Sequence, residues 1–151
     1  SLHAFFQQFT LLMAAGGLVR NQRGEWLFIH RYGKWDLPKG KIERQDFNDP
    51  AFPEAAAKGA IREVMEETGL TKIALVRPLP STWHIYAHHH QQILKQTCWY
   101  EMFTDADEPL RPQTSEAIFL ARWIGGEGVH CVLHNTYRSL RDFLVPLVLP
   151  G

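Results

Sequence analysis

Apolar and polar positions follow two different periods along this chain, and each change of period marks an element. Leu11 to Arg20 and Glu25 to His30 are runs of strand-forming residues joined by the turn-forming Asn21-Gln22-Arg23-Gly24, and they read as a strand pair. Trp35-Asp36-Leu37-Pro38-Lys39-Gly40-Lys41 reads as a short strand running into a glycine-containing loop. From Pro53 the period becomes helical. Proline suits a first helical position, Glu54 suits the positive first turn, Ala55, Ala56, Ala57 and Ala60 favour the helix, and Gly69 stops it. Ala57, Ala60, Ile61 and Val64 form the apolar stripe of this helix, which predicts that Glu63, Glu66 and Glu67 point away from the core.

After the helix, Ile73 to Arg77 reads as a strand and Pro78 to Pro80 as a bend. Trp83 to Tyr86 and Leu94 to Phe103 read as strands around a polar tip containing His88-His89-His90, and Ile118 to Ile124 as a last strand. Gly125 to Gly128 reads as loop, and Thr136 to about Val145 as a closing helix with Leu140, Phe143 and Leu144 on its apolar side. Strands before and after a central helix, with a second helix at the end, place the chain in the α/β class, with one sheet covered on both faces.

The chemistry concentrates in the central helix. Glu63, Glu66 and Glu67 are spaced i, i+3 and i+4, so they share a helix face. Three like charges on one face repel unless a cation joins them, and an all-oxygen donor set suits Mg²⁺ or Mn²⁺ better than Zn²⁺. Mg²⁺ is commonly shared with substrate phosphates, which points to a phosphoryl or pyrophosphoryl substrate. Upstream, Gly40 permits close backbone approach, while Lys39 and Lys41 supply charge against phosphate. Tyr32, beside Arg31 and ahead of this loop, is a candidate for stacking a base, with Arg31 a further candidate contact.

Gly40, Glu54 and the run Arg62-Glu63-Val64-Met65-Glu66-Glu67-Thr68-Gly69-Leu70 resemble the Nudix box. From Glu54 onward the pattern is matched at every fixed position, with seven residues between Glu54 and Arg62. The first half departs from the pattern: thirteen residues lie between Gly40 and Glu54 where five are usual, which reads as an eight-residue insertion within Arg44 to Pro53. Asn48-Asp49-Pro50 and Pro53 favour turns, so the extra length is expected to loop out before the helix, with Glu43 or Asp46 available for a loop contact.

The resemblance implies an α/β/α sandwich with a mixed sheet, and a metal site formed by Glu63, Glu66 and Glu67 with the Gly40 carbonyl. It also implies that Arg62 orients the box glutamates and that Glu116, just before the last strand, is a further metal ligand or base. Glu63, Glu66 and Glu116 all remain candidates for the proton acceptor, with Glu101 a weaker one. The implied reaction is hydrolysis of a diphosphate linkage in a small-molecule substrate. The Pro38-Lys39-Gly40 form of the loop resembles branches acting on dinucleoside polyphosphates and diphosphoinositol polyphosphates. Sugar nucleotides and oxidised nucleoside triphosphates stay open, as does a Nudix domain that senses a ligand with little or no catalysis.

Composition narrows the remainder. The 151 residues, 45% of them hydrophobic, suffice for one core, so residues 1–151 read as a single domain. The absence of an initial methionine, with Phe5, Phe6 and Phe9 at roughly helical spacing, reads either as a removed tag or leader or as the C-terminal part of a longer chain, the second being favoured. Sixteen basic residues balance sixteen acidic ones, which argues against a nucleic-acid or membrane partner recruited by net charge and disfavours an RNA end-processing enzyme. Cys98 and Cys131 lie in no metal or redox spacing, and a reduced, cytoplasmic setting is expected. The segment Phe9 to Val19 is too short to span a bilayer. Three consecutive histidines diverge in a hairpin tip, and His84 and His134 read as ordinary polar residues.

Overall fold

The apolar runs become strands and the helical periods become helices, in the order α1 (Leu2–Gln7), β1 (Phe9–Arg20), β2 (Trp26–Arg31), β3 (Lys34–Asp36), β4 (Lys39–Lys41), α2 (Phe52–Thr68), β5 (Ala74–Pro78), β6 (Thr82–His88), β7 (Gln91–Phe103), β8 (Ile118–Ile124), α3 (Gly128–His134) and α4 (Arg138–Val148). The computed structural model describes residues 1–43 and 48–149. The centre of the expected insertion, Arg44 to Phe47 with Asp46, lies outside the described residues. Its far end starts α2: the Asp49 carboxylate accepts the Ala51 N–H at 2.8 Å and the Asp49 carbonyl accepts the Phe52 N–H at 2.9 Å.

One mixed sheet holds the eight strands. β1 runs parallel to β7 from Phe9 opposite Gln92 to Arg20 opposite Phe103, and antiparallel to β2 and β4 on its other side. β2 carries β3 and β8, while the far edge of β7 carries β6 and β5. Successive side chains leave a strand on opposite faces. Val19 of β1 therefore joins Ala56, Ala60, Val64 and Met102 under α2, while its neighbour Leu18 joins Phe28, Trp99, Leu133, Leu140 and Leu144 under α3 and α4. Helices cover both faces, as the α/β/α expectation requires. Among the described residues no helix is long and apolar enough to cross a membrane.

Four local expectations need correction. The buried stripe of α2 runs through Phe52, Ala56, Gly59, Ala60, Val64, Glu67 and Thr68, so it is rotated from the predicted one and takes Glu67 inward with it. Gly125 to Glu127 are loop as expected, but Gly128 already starts α3, a helix the reading did not include, and Val129, Val132 and Leu133 supply the i, i+3, i+4 contact face that buries it. The expected short strand is β3 (Lys34–Asp36), but the segment expected to be loop after it forms a second three-residue strand, β4 (Lys39–Lys41), with the break at Leu37-Pro38. The histidine tip is tighter than expected: His88 pairs with Gln91 as part of the ladder, leaving His89 and His90 as a two-residue turn with φ of 49° and 65°.

Gly16 and Gly17 let the Pro38-Lys39 segment, β7 and α2 approach β1 closely. A Cβ on Gly16 would overlap the Pro38 carbonyl oxygen and lie 2.6 Å from Lys39 Cβ and 2.7 Å from Trp99 Cζ3, while one on Gly17 would lie 2.6 Å from Met102 Sδ and 2.8 Å from Val64 Cγ2. Backbone and a buried indole cannot step aside cheaply. Gly16→Ala is expected to destabilise the fold by about 2 kcal/mol, read as a lower urea midpoint with an unchanged slope. An unchanged midpoint would show that the Pro38-Lys39 segment is not held by this contact.

Candidate functional site

The end of α2 is tied to the segment that leads into β8. Gly69 stops the helix at φ 83° and returns its N–H to the Met65 carbonyl at 2.9 Å. The carbonyls of the last turn need outside donors. Thr68 receives the Arg111 N–H at 2.7 Å and Glu67 the Gln113 N–H at 3.2 Å, so residues 111–113 run beside the helix terminus. A single 3₁₀ turn, Thr114–Glu116, follows, and Ala117 at φ 61° redirects the chain into β8. Glu116 is exposed on this turn, and its charge is among the influences that raise the Glu63 pKa.

Glu63 lies against the backbone of Gly40. A Cβ at position 40 would overlap the Glu63 carboxyl group, its Oε1 only 2.5 Å away, so a hydrogen at that position is what admits the carboxylate. Burial pushes the Glu63 pKa above the ordinary carboxylate value, opposed by the Arg62 hydrogen bond. The Arg62 guanidinium spans the site: one nitrogen lies 3.3 Å from both the Lys41 carbonyl and Glu63 Oε1, while Nε lies 3.8 Å from Glu66 Oε1. The guanidinium therefore contacts both carboxylates, where a side chain that orients ligands would sit.

Glu67 is only 3% exposed and turns back to β4, where its carboxylate accepts the Lys39 N–H at 3.2 Å. Burial raises its pKa to about 7, outweighing the attraction of Arg31 and Lys39 and the hydrogen bond from Lys39. A buried acid that the protein's own cations only partly compensate is a natural ligand for a further cation. Among the described residues no three His, Cys, Asp or Glu side chains are closed into a ready-made metal cage. Mg²⁺ commonly takes several ligands from water and substrate phosphate, so one or two carboxylates and an open face suffice for it. The oxygen donors and the Gly40 cradle fit such an ion.

On the opposite face of the sheet lies a cleft of about 660 Å³, lined by Arg31, Tyr32, Asp36, Lys39, Lys95, Trp99 and the start of α4 at Tyr137 to Leu140, among others. Trp99 stiffens its floor, donating Nε1–H to Thr82 at 2.9 Å and stacking on Phe143 at 5.6 Å between ring centres. Asp36 organises one wall: it accepts Leu37 N–H at 2.8 Å and Lys39 Nζ at 2.7 Å, with Arg31 at 3.9 Å. Lys95 rises from the sheet floor, where burial and then Lys39 lower its pKa to about 8.

The sequence candidates therefore fall into two groups. Glu63, Glu66, Glu67, Arg62, Gly40 and Glu116 gather at the α2 side, while Arg31, Tyr32 and Lys39 line the cleft. Lys41 is exposed, is not among the cleft lining, and meets the first group through its carbonyl. Glu54 pairs with Lys58 at 3.0 Å on the solvent face of α2. Glu101 pairs with Arg77 at 3.1 Å. Tyr32 is 77% exposed at φ 55°, with Arg31 5.7 Å from its ring centre. Lys95, Tyr137 and His84, unassigned or set aside on sequence grounds, also line the cleft. Lys95 carried a signal: it shares a strand face with Ile93, Thr97 and Trp99, where a charge is out of place.

A family model described as the NUDIX domain matches residues 10–143. Among solved structures, a MutT protein from Methanosarcina mazei Go1 aligns at 21% identity and a TM-score of 0.63, covering 92% of this chain and 94% of that one. A C. elegans Ap4A hydrolase, solved as a binary complex, aligns at 17% identity and 0.62, covering 88% and 92%. The E. coli dihydroneopterin triphosphate pyrophosphohydrolase aligns at 14% identity and 0.65, covering 92% and 96%. At these identities the structural likeness is one of fold.

Proposed function

Since this chain belongs to the Nudix hydrolase family, we propose that it is a divalent-metal-dependent pyrophosphohydrolase cleaving a diphosphate linkage in a nucleoside diphosphate derivative, with dinucleoside polyphosphates the favoured substrates. The observation that carries this reading is the pairing of Glu63 over Gly40 with Glu67 against the Lys39 N–H, next to a cation-lined cleft.

Glu63, Glu66, Glu67 and the Gly40 carbonyl would hold Mg²⁺, or Mn²⁺ in its place. Bound there, the ion supplies charge neutralisation at the phosphate oxygens and a more acidic water. Arg62 holds Glu63 and Glu66 in orientation through its 3.3 Å and 3.8 Å contacts. Lys39, Lys41 and Arg31 would counter the charge of phosphates that are not being cleaved, and Tyr32 would stack a base at the cleft mouth. A carboxylate takes a proton from the attacking water, and Glu63, Glu66 and Glu116 are the candidates for that role. The two free cysteines, Cys98 and Cys131, support a reduced, cytoplasmic setting.

The test is a phosphate-release screen over dinucleoside polyphosphates, nucleoside diphosphate derivatives and inositol pyrophosphates with Mg²⁺ or Mn²⁺, run beside Glu66→Gln. Turnover of at least one class by the parent, with a loss of roughly a hundredfold or more in the variant, is expected. Equal turnover by both would remove Glu66 from the metal site. Tight binding of one compound without any turnover would make the protein a ligand sensor.

A further inference from the structure

The cleft floor is more cationic than its own acids can satisfy. Arg31, Lys39, Lys95 and Arg138 line it against only two carboxylates, Asp36 and Asp142. Asp36 is already engaged by the Leu37 N–H and Lys39, with Arg31 close by. The Lys95 side chain has no ion pair or hydrogen bond with any described residue. Its position leaves little room to escape. β7 is paired by β1 on one side and by β6 on the other, where Lys95 stands opposite His84, so its stem can only leave the sheet perpendicular to it, into the cleft. A half-buried ammonium near three other cations is complemented by a polyanion.

We propose that this floor is an anion site, separate from the glutamate side, that holds a phosphate of the substrate other than the pair being cleaved, with Lys95 as its specificity-determining residue. The proposal rests on the pyrophosphohydrolase reading and narrows it to substrates with a chain of at least three phosphates. The reason lies in β4. The Lys39 side chain enters the cleft on one face of this strand, while the Gly40 position faces Glu63 on the other. A substrate with two phosphates has both engaged where Glu63 and Glu67 lie, whereas a longer chain carries charge past Lys39 to Lys95.

Binding of inorganic tripolyphosphate in the presence of EDTA tests the site without any turnover. Isothermal titration is expected to show binding to the parent, binding about tenfold weaker or worse to Lys95→Met, and retained binding to Lys95→Arg. Thermal melts of the three proteins identify any variant that has lost its fold, and the Met and Arg variants, both unbranched, are read against each other. In kinetics, Lys95→Met should raise KM for a substrate with three or more phosphates while leaving KM for a two-phosphate substrate unchanged.

Equal tripolyphosphate affinity in parent and Lys95→Met, or no affinity in the parent, overturns the proposal, as does a KM change of the same size for both substrate lengths. If no compound is hydrolysed but tripolyphosphate binds in a Lys95-dependent way, the anion site stands and the hydrolase reading falls.

Discussion

Glu67→Gln is expected to lower kcat/KM by roughly a thousandfold while making the metal-free protein more stable at alkaline pH. The two effects have one origin. Glu67 is buried, and its pKa in the folded protein is raised to about 7 from an ordinary 4.5. The folded state thus holds its proton more tightly than the unfolded chain does. Below the unfolded pKa both states are protonated and this residue has no effect; as pH rises towards 7 the unfolded chain gives up its proton first, so stability falls through that window and stays lower above it. The full loss is roughly 3 kcal/mol as an upper bound.

Glutamine has nothing to ionise and escapes the loss. In EDTA, parent and Glu67→Gln should therefore melt close together at pH 5 and diverge by pH 8, with the variant higher. Mg²⁺ should raise the melting temperature of the parent at pH 8 far more than that of the variant. Parallel melting curves across pH would show that Glu67 is not ionised against its surroundings, and a Mg²⁺ response unaffected by the substitution would exclude Glu67 as a ligand.

Gly40→Ala is expected to leave the fold intact and to cost roughly a hundredfold in kcat/KM, because a displacement of about an ångström at a reacting centre has effects of that size. The three atoms nearest the added methyl all belong to the Glu63 carboxyl group, at the end of a flexible side chain that can swing away. Stability is thus preserved by moving the very group that the proposed chemistry needs. Circular dichroism melts and initial rates on the same preparation check both halves. Activity close to that of the parent would mean that Glu63 works from another position, and unfolding would mean that the glycine is needed for the backbone.

Much of the arrangement of the candidate residues is legible in one dimension. The i, i+3, i+4 spacing put Glu63, Glu66 and Glu67 on one helix, and Arg62 is found bridging Glu63 and Glu66. Periodicity also located α2, the long strands and the closing helix, because each buries a stripe large enough to read locally. What it could not give was the rotation of α2 about its axis. Whether Glu67 faces water or β4 depends on how the helix end meets Lys39, twenty-eight residues away, and that contact is a product of tertiary packing. Similarly, α3 hid behind its opening glycines, and the cleft drew Lys95, Tyr137 and Arg31 from three distant segments. Surface pairs such as Glu54 with Lys58 satisfy a motif position and a solvent position equally well in one dimension.

The parallel pairing of β1 with β7 has a consequence for how the chain reaches its native state. Every partner in that ladder is eighty-three residues apart in sequence, and β1 is the strand on which β2, β4 and β7 all converge. During synthesis the middle of the sheet must wait for the ribosome to deliver residues as far as Phe103, with an apolar segment held open meanwhile. The helix covering one side of β1, α2, precedes β7 in the chain, whereas α3 and α4, which cover the other side, follow it, so an unpaired β1 would expose that second side for longer, the condition in which nascent chains aggregate or engage chaperones.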